Sequence, residues 1–341
     1  MARTMARLKL SRAQILGFRR RVGALDERLP PGEESLRRAA WAGLQDSMPR
    51  AALLSLHARV ADTAATDWEH RSLAQLWGPR FSAYVVAAKD LAVFSLGRLP
   101  DEGPRRKRAQ ETAARLHVFL NGRRMPDGEI GRVMGGHPNS LRYAAPTGTV
   151  LVRWDGARQP LVWTVSAPKM DASAARRELA RRYLHIFGPA TAASFARWAG
   201  MRPVEARKAF EALGSELAPV HKPIGEAWIL AGDEASFLAK PGRAAPARLL
   251  PSGDTYFLLW GVERELLVPE AKRRAALWTT RVWPGALLVD GEIAGVWRRA
   301  AGEVTMETWR ALSAQEREAV ETEAQALPLP GVTGPIIVHW K

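Results

Sequence analysis

The sequence predicts an α+β protein built from repeated helix-turn-helix and hairpin units, followed by a strand-rich C-terminal region. Two segments run helix, turn, helix, two-stranded hairpin in the same order, and Asp155-Gly156 is a tight-turn pair between two apolar runs. A Pro-, Gly- and Ala-rich stretch over residues 239–247 then indicates a linker. The length of 341 residues suits two or more compact units better than one core.

The N-terminal part is predicted to be mainly helical. We expect helices over residues 10–24 and 33–60, but a proline inside a helix is costly. Because of Pro49, we expect one helix to end near Leu44, a loop over residues 45–48 and a new helix from about Pro49. Further along, the pattern predicts a short helix over 72–77, a strand over 81–86, and a basic amphipathic helix over 104–120 that carries Arg105, Arg106, Lys107 and Arg108.

The helix-and-hairpin order then occurs twice. The first copy has a short helix over 127–134, a helix from about Pro138, and hairpin strands over 150–154 and 161–165. The second copy has helices over 176–187, 190–199 and 203–213, with the turn at Gly200, and hairpin strands over 217–220 and 227–230. This order is that of a winged helix-turn-helix.

The third helix of the second copy has two distinct faces. An apolar stripe, spaced for burial, consists of Ala206, Ala209, Phe210 and Leu213. Three cations lie outside this stripe: Arg202, Arg207 and Lys208. In DNA binders of this geometry, the face that carries them enters the major groove. The alternative is a winged helix that serves only as scaffold or protein interface.

The charge is concentrated at the N-terminal end. The net charge is +15, and Arg supplies 41 of the 50 cations. Residues 1–124 carry a net +11, residues 125–242 a net +4, and residues 243–341 a net charge of zero. A local excess of Lys and Arg favours a polyanionic partner, through phosphate contacts and counterion release. We therefore expect nucleic acid, with a membrane surface or plain solubility as alternatives.

Composition and motif searches exclude several classes of protein. With no cysteine, there is no disulfide, thiolate nucleophile or Cys-ligated metal. No apolar run is long enough for a secretory signal or a transmembrane helix, so we expect a cytoplasmic protein. Phosphate-loop, dinucleotide-binding, zinc-protease and serine-hydrolase motifs are absent, and the seven histidines show no metal-ligand spacing. We expect neither metal nor cofactor, and we interpret His57 as a core or surface histidine rather than a catalytic one.

One polar loop is the best candidate for chemistry. Gln45, Asp46 and Ser47 place an amide, a carboxylate and a hydroxyl in consecutive positions before a Pro-started helix. A carboxylate beside a helix N-terminus can accept a proton from water, and an amide can orient that water. Ordinary capping is the alternative, with Ser47 as N-cap and Asp46 at the positive end of the helix dipole.

The C-terminal region is predicted to be a small β-rich unit, either a barrel or a sheet. Strand-like runs cover 256–260, 286–289, 293–297 and 336–340, and Asp290-Gly291 is again a tight-turn pair. One helix is expected over 306–326.

Several motifs resemble the AlkZ/YcaQ-like family of bacterial winged-helix DNA glycosylases. They begin with Gly43-Leu44-Gln45, with Pro49 after the loop, and with His57-Ala58-Arg59-Val60. They continue with Leu76-Trp77-Gly78-Pro79-Arg80, Arg182-Tyr183-Leu184, Phe187-Gly188-Pro189-Ala190-Thr191, Phe195-Ala196-Arg197-Trp198-Ala199-Gly200, Leu250-Pro251, Asp254-Thr255-Tyr256 and the run from Leu287 to Arg298. Together they extend through most of the chain.

The resemblance implies a fold and a partner. It implies three winged-helix domains and a C-terminal β-barrel around a C-shaped basic channel that holds double-stranded DNA. The corresponding boundaries are 1–124, 125–172, 173–238 and 243–341. We expect a monomer near the nucleoid, with Arg50 and Arg80 added to the DNA-binding residues named above.

The resemblance also implies an activity, the excision of alkylated or crosslinked bases. The family motif is Gln, an apolar residue, then Gln or Asp, and its polar pair positions the attacking water. Gln45 matches, whereas Asp46 stands at the apolar position and Ser47 at the second polar one. Many relatives have Thr-x-His after Arg80, where this chain has Ser82-Ala83-Tyr84. Two interpretations follow: a monofunctional glycosylase in which Asp46 replaces the missing acid, or a non-catalytic DNA-binding or regulatory relative.

Overall fold

The computed structural model describes residues 7–156 and 158–341, which form a mixed fold of helices and four separate sheets. The predicted mixture of helices and strands is therefore confirmed. Within the described ranges, no helix combines the length and the apolar character needed to cross a bilayer.

The N-terminal region holds a three-stranded sheet in the order β2-β4-β3. Its elements are β1 Leu8–Lys9, α1 Arg12–Val22, α2 Glu33–Ala39, β2 Leu44–Gln45, α3 Ala51–His57, β3 Leu73–Trp77, β4 Ala83–Ala87 and α4 Leu91–Leu96. The helix predicted over 72–77 is wrong, because β3 pairs along its whole length with β4. A short apolar run fits a helix or a strand equally well, and here the pairing partner decides. The helix expected to end near Leu44 ends at Ala39, and Leu44–Gln45 form strand β2, in which Gln45 pairs with Tyr84, so the loop begins one residue later than predicted.

The next region contains the predicted basic helix and the first predicted hairpin. Its elements are α5 Pro104–Leu120, β5 Met125–Pro126, α6 Asp127–Val133, a 3-10 helix Pro138–Thr147, β6 Val150–Arg153 and β7 Leu161–Thr164. The helix over 104–120 and the hairpin are confirmed. The element that starts at Pro138 is a 3-10 helix with Pro146 inside it, and a proline there removes a backbone donor.

The third region has the predicted helix-turn-helix and hairpin order, and it also receives the N-terminal strand. Its elements are α7 Ala172–Phe187, α8 Ala192–Ala199, α9 Pro203–Glu211, β8 Leu217–Lys222, β9 Gly225–Leu230 and α10 Glu234–Leu238. Gly200 ends α8 with a φ of 72°, as the predicted turn requires. Strand β1 pairs in parallel with β8, so the N-terminal segment lies on this hairpin and α1 packs on α7 and α10.

The C-terminal region is an open five-stranded sheet. Its elements are β10 Ala247–Leu250, α11 Glu263–Leu267, α12 Ala271–Leu277, β11 Gly285–Val289, β12 Glu292–Ala300, β13 Glu303–Thr308, α13 Ala314–Gln325 and β14 Ile337–Trp340. Strands β10 and β14 are opposite edges and, among the described residues, no pairing joins them. The expected barrel is therefore corrected to an open sheet, with α13 packed against the edge strand β10.

Two local predictions in this region are wrong. The segment over 256–260 forms turns rather than a strand, because Asp254 accepts the backbone N–H of Tyr256 and bends the chain. The helix predicted over 306–326 is strand β13 followed by α13. Residues 303–306 alternate between exposed and buried as a strand does, and the capping box of Ser313 and Glu316 starts the helix only there.

A buried ion pair ties α3 to the turn-rich segment 251–260. The guanidinium of Arg59 donates to both oxygens of Asp254, at 2.7 and 2.8 Å, and the two side chains are 3% and 0% exposed. Ser55 Oγ also donates to Asp254, and Arg59 donates to Thr255 Oγ1. The charges are thus fully hydrogen-bonded, which is the condition under which a buried pair is tolerated.

Replacing Asp254 by Asn should therefore destabilise the fold strongly. The variant keeps the size of the side chain but leaves the Arg59 charge buried without its counterion, which costs about 3–5 kcal/mol. Urea unfolding of the wild type and the variant measures this loss in the free energy of unfolding. As a control, Glu226→Gln removes a carboxylate that is 56% exposed beside Arg7, and it should leave the free energy of unfolding almost unchanged because solvent screens this pair. Equal losses in the two variants would contradict the role given to the buried pair.

Candidate functional site

The polar loop begins at the end of a strand, and this decides where its side chains point. Gln45 pairs with Tyr84, and the backbone N–H of Asp46 donates to Ala83 O at 2.7 Å. Successive side chains of an extended chain point to opposite faces. Accordingly, Gln45 Nε2 donates to Ser47 Oγ at 2.6 Å, whereas Asp46 lies in the interior. The three candidate catalytic residues therefore divide into a Gln45–Ser47 pair and a separate Asp46.

The amide of Gln45 is held on several sides. Its oxygen accepts from Arg80 Nη2 at 3.1 Å and from the Tyr84 hydroxyl at 3.3 Å. Because a guanidinium can only donate, the amide oxygen must face Arg80 and the amide nitrogen must face Ser47. Gly253, in the C-terminal part of the chain, packs directly against this amide. A Cβ at position 253 would lie only 2.9 Å from Gln45 Nε2. The amide is thus fixed in one orientation.

Arg80 is itself held in an unusual position. Its φ is 54°, a left-handed conformation that is uncommon for a residue with a side chain. The guanidinium lies 4.1 Å from the centre of the Trp260 ring and donates to Trp198 O at 3.2 Å. Burial lowers the pKa of Arg80. Gly200 makes room for this backbone, because a Cβ there would lie 3.1 Å from Arg80 Cα.

The carboxylate of Asp46 is 1% exposed and stabilises the start of α3. One oxygen accepts the backbone N–H of Ala52 at 2.9 Å, and the other accepts from Gln75 Nε2 at 2.7 Å. Gln75 also accepts the backbone N–H of Trp154, so this carboxylate links α3 to strand β3 and the β6–β7 hairpin. Burial raises the pKa of Asp46 to about 6, although these hydrogen bonds and Arg50 oppose the shift. These contacts favour a capping role for Asp46. Ser47, the expected N-cap, does not cap α3, because Arg50 precedes the helix and Ser47 Oγ accepts from Gln45 instead.

Positive charge surrounds the far end of the loop. Ser47 is exposed, and Arg50 adopts a φ of 65° with its guanidinium 4.4 Å from the centre of the Trp68 ring. Arg153 lies over the same ring at 4.2 Å but pairs with Glu69 at 2.6 Å, so the excess positive charge comes from Arg50 and Arg299. Arg299 donates to Pro49 O at 2.6 Å, and burial together with repulsion from Arg50 lowers its pKa. An anionic group would therefore be attracted to the loop.

The other candidate DNA-binding cations lie on two neighbouring helices. On α5, Arg105, Lys107 and Arg108 are exposed, while Arg106 is half-buried and donates to Pro100 O at 3.0 Å. On α9, Arg207 is exposed and Arg202 is paired with Glu205 at 2.8 Å. Lys208 lies 3.6 Å from Asp101, which precedes α5, so the two groups of cations are close together.

Sequence reasoning missed the residues that hold the loop. Gln75, Tyr84, Gly253 and Trp260 contact Gln45, Asp46 or Arg80 across distances of 29 residues or more. Only one of them carried a signal: Tyr84 lies in the Ser82-Ala83-Tyr84 segment that the sequence analysis singled out, and its hydroxyl donates to Gln45.

The histidines do not contribute to this site. Burial lowers the pKa of His57 to about 3, so it is neutral, as a core histidine. Within residues 7–156 and 158–341, no group of three His, Asp or Glu side chains could hold a metal ion.

Comparison with known proteins adds independent information. A family model described as DNA glycosylase AlkZ-like matches residues 38–328. A protein of Streptomyces sahachiroi named interstrand DNA cross-link repair glycosylase is 32% identical over 151 residues, which span 42% of this chain and only 39% of that relative. The solved structure of Streptomyces sahachiroi DNA glycosylase AlkZ matches with a TM-score of 0.79 at 20% identity, covering 98% of this chain and 100% of the other. This structural likeness shows a common fold.

The burial of Asp46 has a measurable consequence. We expect its carboxyl to titrate near pH 6, whereas an unperturbed aspartate titrates near about 3.9. Because the folded protein holds this proton more tightly than the unfolded chain, the contribution of Asp46 to stability is largest below about pH 4 and falls as the pH rises through about 6. Carbon-13 NMR of the carboxyl measures the midpoint, and Asp46→Asn should remove this part of the pH dependence of unfolding. A midpoint below 4 would show that the carboxylate is not desolvated.

Proposed function

Because this chain belongs to the DNA glycosylase AlkZ-like family, we propose that it is a monofunctional DNA glycosylase that acts on double-stranded DNA. Its substrates are alkylated bases, N7-alkylated purines above all. We include crosslinked bases among the proposed substrates, because the Streptomyces sahachiroi relative is named interstrand DNA cross-link repair glycosylase.

The proposal includes the finer architecture. The helix-turn-helix and hairpin segments serve as tandem winged-helix domains with boundaries at 1–124, 125–172 and 173–238, followed by the sheet of residues 243–341. Together they form a basic, C-shaped channel for DNA. The exposed cations of α5 and α9 support this assignment, and so does the net +11 of residues 1–124.

The single observation that carries the proposed activity is the Gln45–Ser47 pair. The amide oxygen of Gln45 already accepts hydrogen bonds from Arg80 and Tyr84. The exposed Ser47 hydroxyl accepts from Gln45 and keeps a second lone pair and its own proton for a further hydrogen bond. A water molecule held there could attack C1′ of the damaged nucleotide. The glycosidic electron pair leaves with the base, C1′ gains the water oxygen, and the excess proton passes to solvent.

Asp46 acts in this proposal as a positioning residue. Its two hydrogen bonds hold the loop between α3 and β3, and its burial keeps it away from the Ser47 hydroxyl. The alternative, in which Asp46 is the proton acceptor, requires the carboxylate to leave both partners. A carboxylate pKa of about 6 would suit a general base, so the two roles must be separated by experiment.

One observation favours a second candidate function. Ser47 stands where the family motif has Gln or Asp, and a hydroxyl is a weaker proton acceptor than a carboxylate. A relative that binds DNA without excising bases would retain the basic surface and lose base release. Release of 7-methylguanine from a duplex by the wild type distinguishes the two functions.

Substitutions in the loop should affect base release to different extents. Gln45→Ala removes the fixed amide, and the resulting loss of water positioning should slow single-turnover release of 7-methylguanine by about 10²-fold. Asp46→Asn should cost less than tenfold in the folded protein, whereas loss of a general base would cost about 10²–10⁴-fold. Gln315→Ala, which truncates an exposed glutamine on α13, is the matched control and should release at the wild-type rate. Slower release by Asp46→Asn than by Gln45→Ala would assign the base to Asp46.

The exposed cations of α5 should dominate salt-dependent binding. Each phosphate contact contributes roughly −0.9 to the slope of log K against log salt. Replacing Arg105, Lys107 and Arg108 by Gln should therefore weaken duplex binding and flatten this slope by up to about 2.7. Fluorescence anisotropy at several salt concentrations measures both quantities. A control of equal charge change, with Lys272, Arg317 and Lys341 replaced by Gln, should change little, and the reverse ranking would contradict the channel assignment.

A further inference from the structure

A cavity of about 350 Å³ lies beside the polar loop, and residues of that loop do not line it. Two consecutive residues lie between the loop and the cavity. Arg80 contacts Gln45, and Phe81 lines the cavity. The remaining walls that carry chemistry come from the segment after α4, the start of α5, the 3-10 helix and the start of α9: Arg98, Arg105, Arg108, Tyr143 and Glu205. The volume lies within the range of small-molecule sites.

Two aromatic rings form one part of this cavity. Phe81 and Tyr143 lie 5.5 Å apart with an interplanar angle of 83°, and Tyr143 is 38% exposed. Phe81 has a φ of 60° directly after Arg80 at 54°, so two consecutive residues adopt the left-handed conformation. Such strain persists only where the surroundings fix it, and it is concentrated at functional sites. An exposed aromatic face offers a stacking surface to any nucleobase.

Three cations form another part of the cavity. Arg98 is 7% exposed and donates to Phe94 O at 2.9 Å and Trp77 O at 2.6 Å. Arg105 and Arg108 are exposed, and Arg108 lies 5.0 Å from the centre of the Tyr143 ring. In the described part of the chain, none of the ion pairs includes these three residues. Burial lowers the pKa of Arg98 to about 9, so an anion beside it would stabilise the charged form.

The acidic residue of the cavity does not cancel this charge. Glu205 is buried and its carboxylate is held by Arg202, at 2.8 and 3.0 Å. The cavity therefore combines a partly exposed aromatic ring with guanidinium groups that form no ion pair among the described residues, and Arg98 and Arg108 lie over the Phe81 and Tyr143 rings at 5.5 and 5.0 Å. A planar, apolar-faced group that carries a phosphate matches both features, which is the chemistry of a single nucleotide.

We propose that this cavity binds one unstacked nucleotide of the DNA, with its base against Tyr143 and its phosphate at Arg98, Arg105 and Arg108. It is a second nucleotide subsite, distinct from the position of the attacked sugar at Gln45 and Ser47. The subsite rests on the proposed function only in taking DNA as its ligand, and it requires no base release. Distorted DNA is therefore recognised at two neighbouring points, one on each side of the Arg80–Phe81 segment.

The test compares two duplexes of the same sequence, one fully paired and one with a single unpaired 2-aminopurine nucleotide. Anisotropy titrations should show that the wild type binds the bulged duplex about tenfold more tightly, since stacking of one base is worth a factor of this order. Tyr143→Phe keeps the ring and should keep the preference. Tyr143→Leu removes the ring at a partly exposed position and should abolish the preference, because it weakens binding of the bulged duplex more than that of the paired one.

The outcomes separate this subsite from the proposed activity. Lack of base release together with an intact preference would overturn the glycosylase proposal and leave the subsite standing. Equal affinity of the wild type for both duplexes would overturn the subsite, and so would a preference retained in Tyr143→Leu. Arg108→Gln gives a second test, because it should weaken binding of the bulged duplex more than that of the paired one, and equal weakening would count against the phosphate contact.

Discussion

The buried ion pair between Arg59 and Asp254 joins two parts of the chain that are 195 residues apart. It fixes helix α3, which follows the polar loop, against the turn-rich segment 251–260. Both ends of that segment reach the candidate site, since Gly253 lies against Gln45 and Trp260 lies over the Arg80 guanidinium. The geometry of the loop therefore depends on a contact with the C-terminal region. A charge pair can hold this contact because every oxygen of the carboxylate is hydrogen-bonded and the pair is shielded from solvent.

The second constraint is the alternation of an extended chain. Because β2 continues into the loop, Gln45 and Ser47 share one face and Asp46 takes the other. The chain thus places its amide and hydroxyl toward solvent and uses its carboxylate to order the start of α3. This division follows from the alternation of the extended backbone.

Elements were predicted correctly where the sequence feature that specifies them is local, and incorrectly where it depends on residues far away in the chain. The family was predicted from motifs spread through the chain and is confirmed by the family match. The helix over 104–120, the turn at Gly200 and both predicted hairpins depend on caps, glycines and apolar spacing within a few residues, and these elements are confirmed. Strand β3 was mispredicted as a helix, and the residues could not decide between a barrel and a sheet in the C-terminal region, because strand pairing is decided by distant partners. For the same reason, neither Gly253 nor Trp260 could be connected to Gln45 from the sequence.

The chemistry of the leaving group explains how so modest a site could suffice. An N7-alkylated purine already carries a positive charge, so the departing base needs no proton from the protein. The site then has to hold one water at C1′ and tolerate positive charge developing on the sugar, tasks of positioning rather than of strong base catalysis. In the proposed function, an exposed carboxylate would also repel the DNA phosphates that are assigned to Arg50 and the cations of α5. Burying Asp46 removes this repulsion. Burial also disfavours the ionised form of the carboxyl group and thereby raises its pKa to about 6. The raised pKa of Asp46 is thus the electrostatic consequence of burying the carboxylate away from the face of the loop that is proposed to meet DNA.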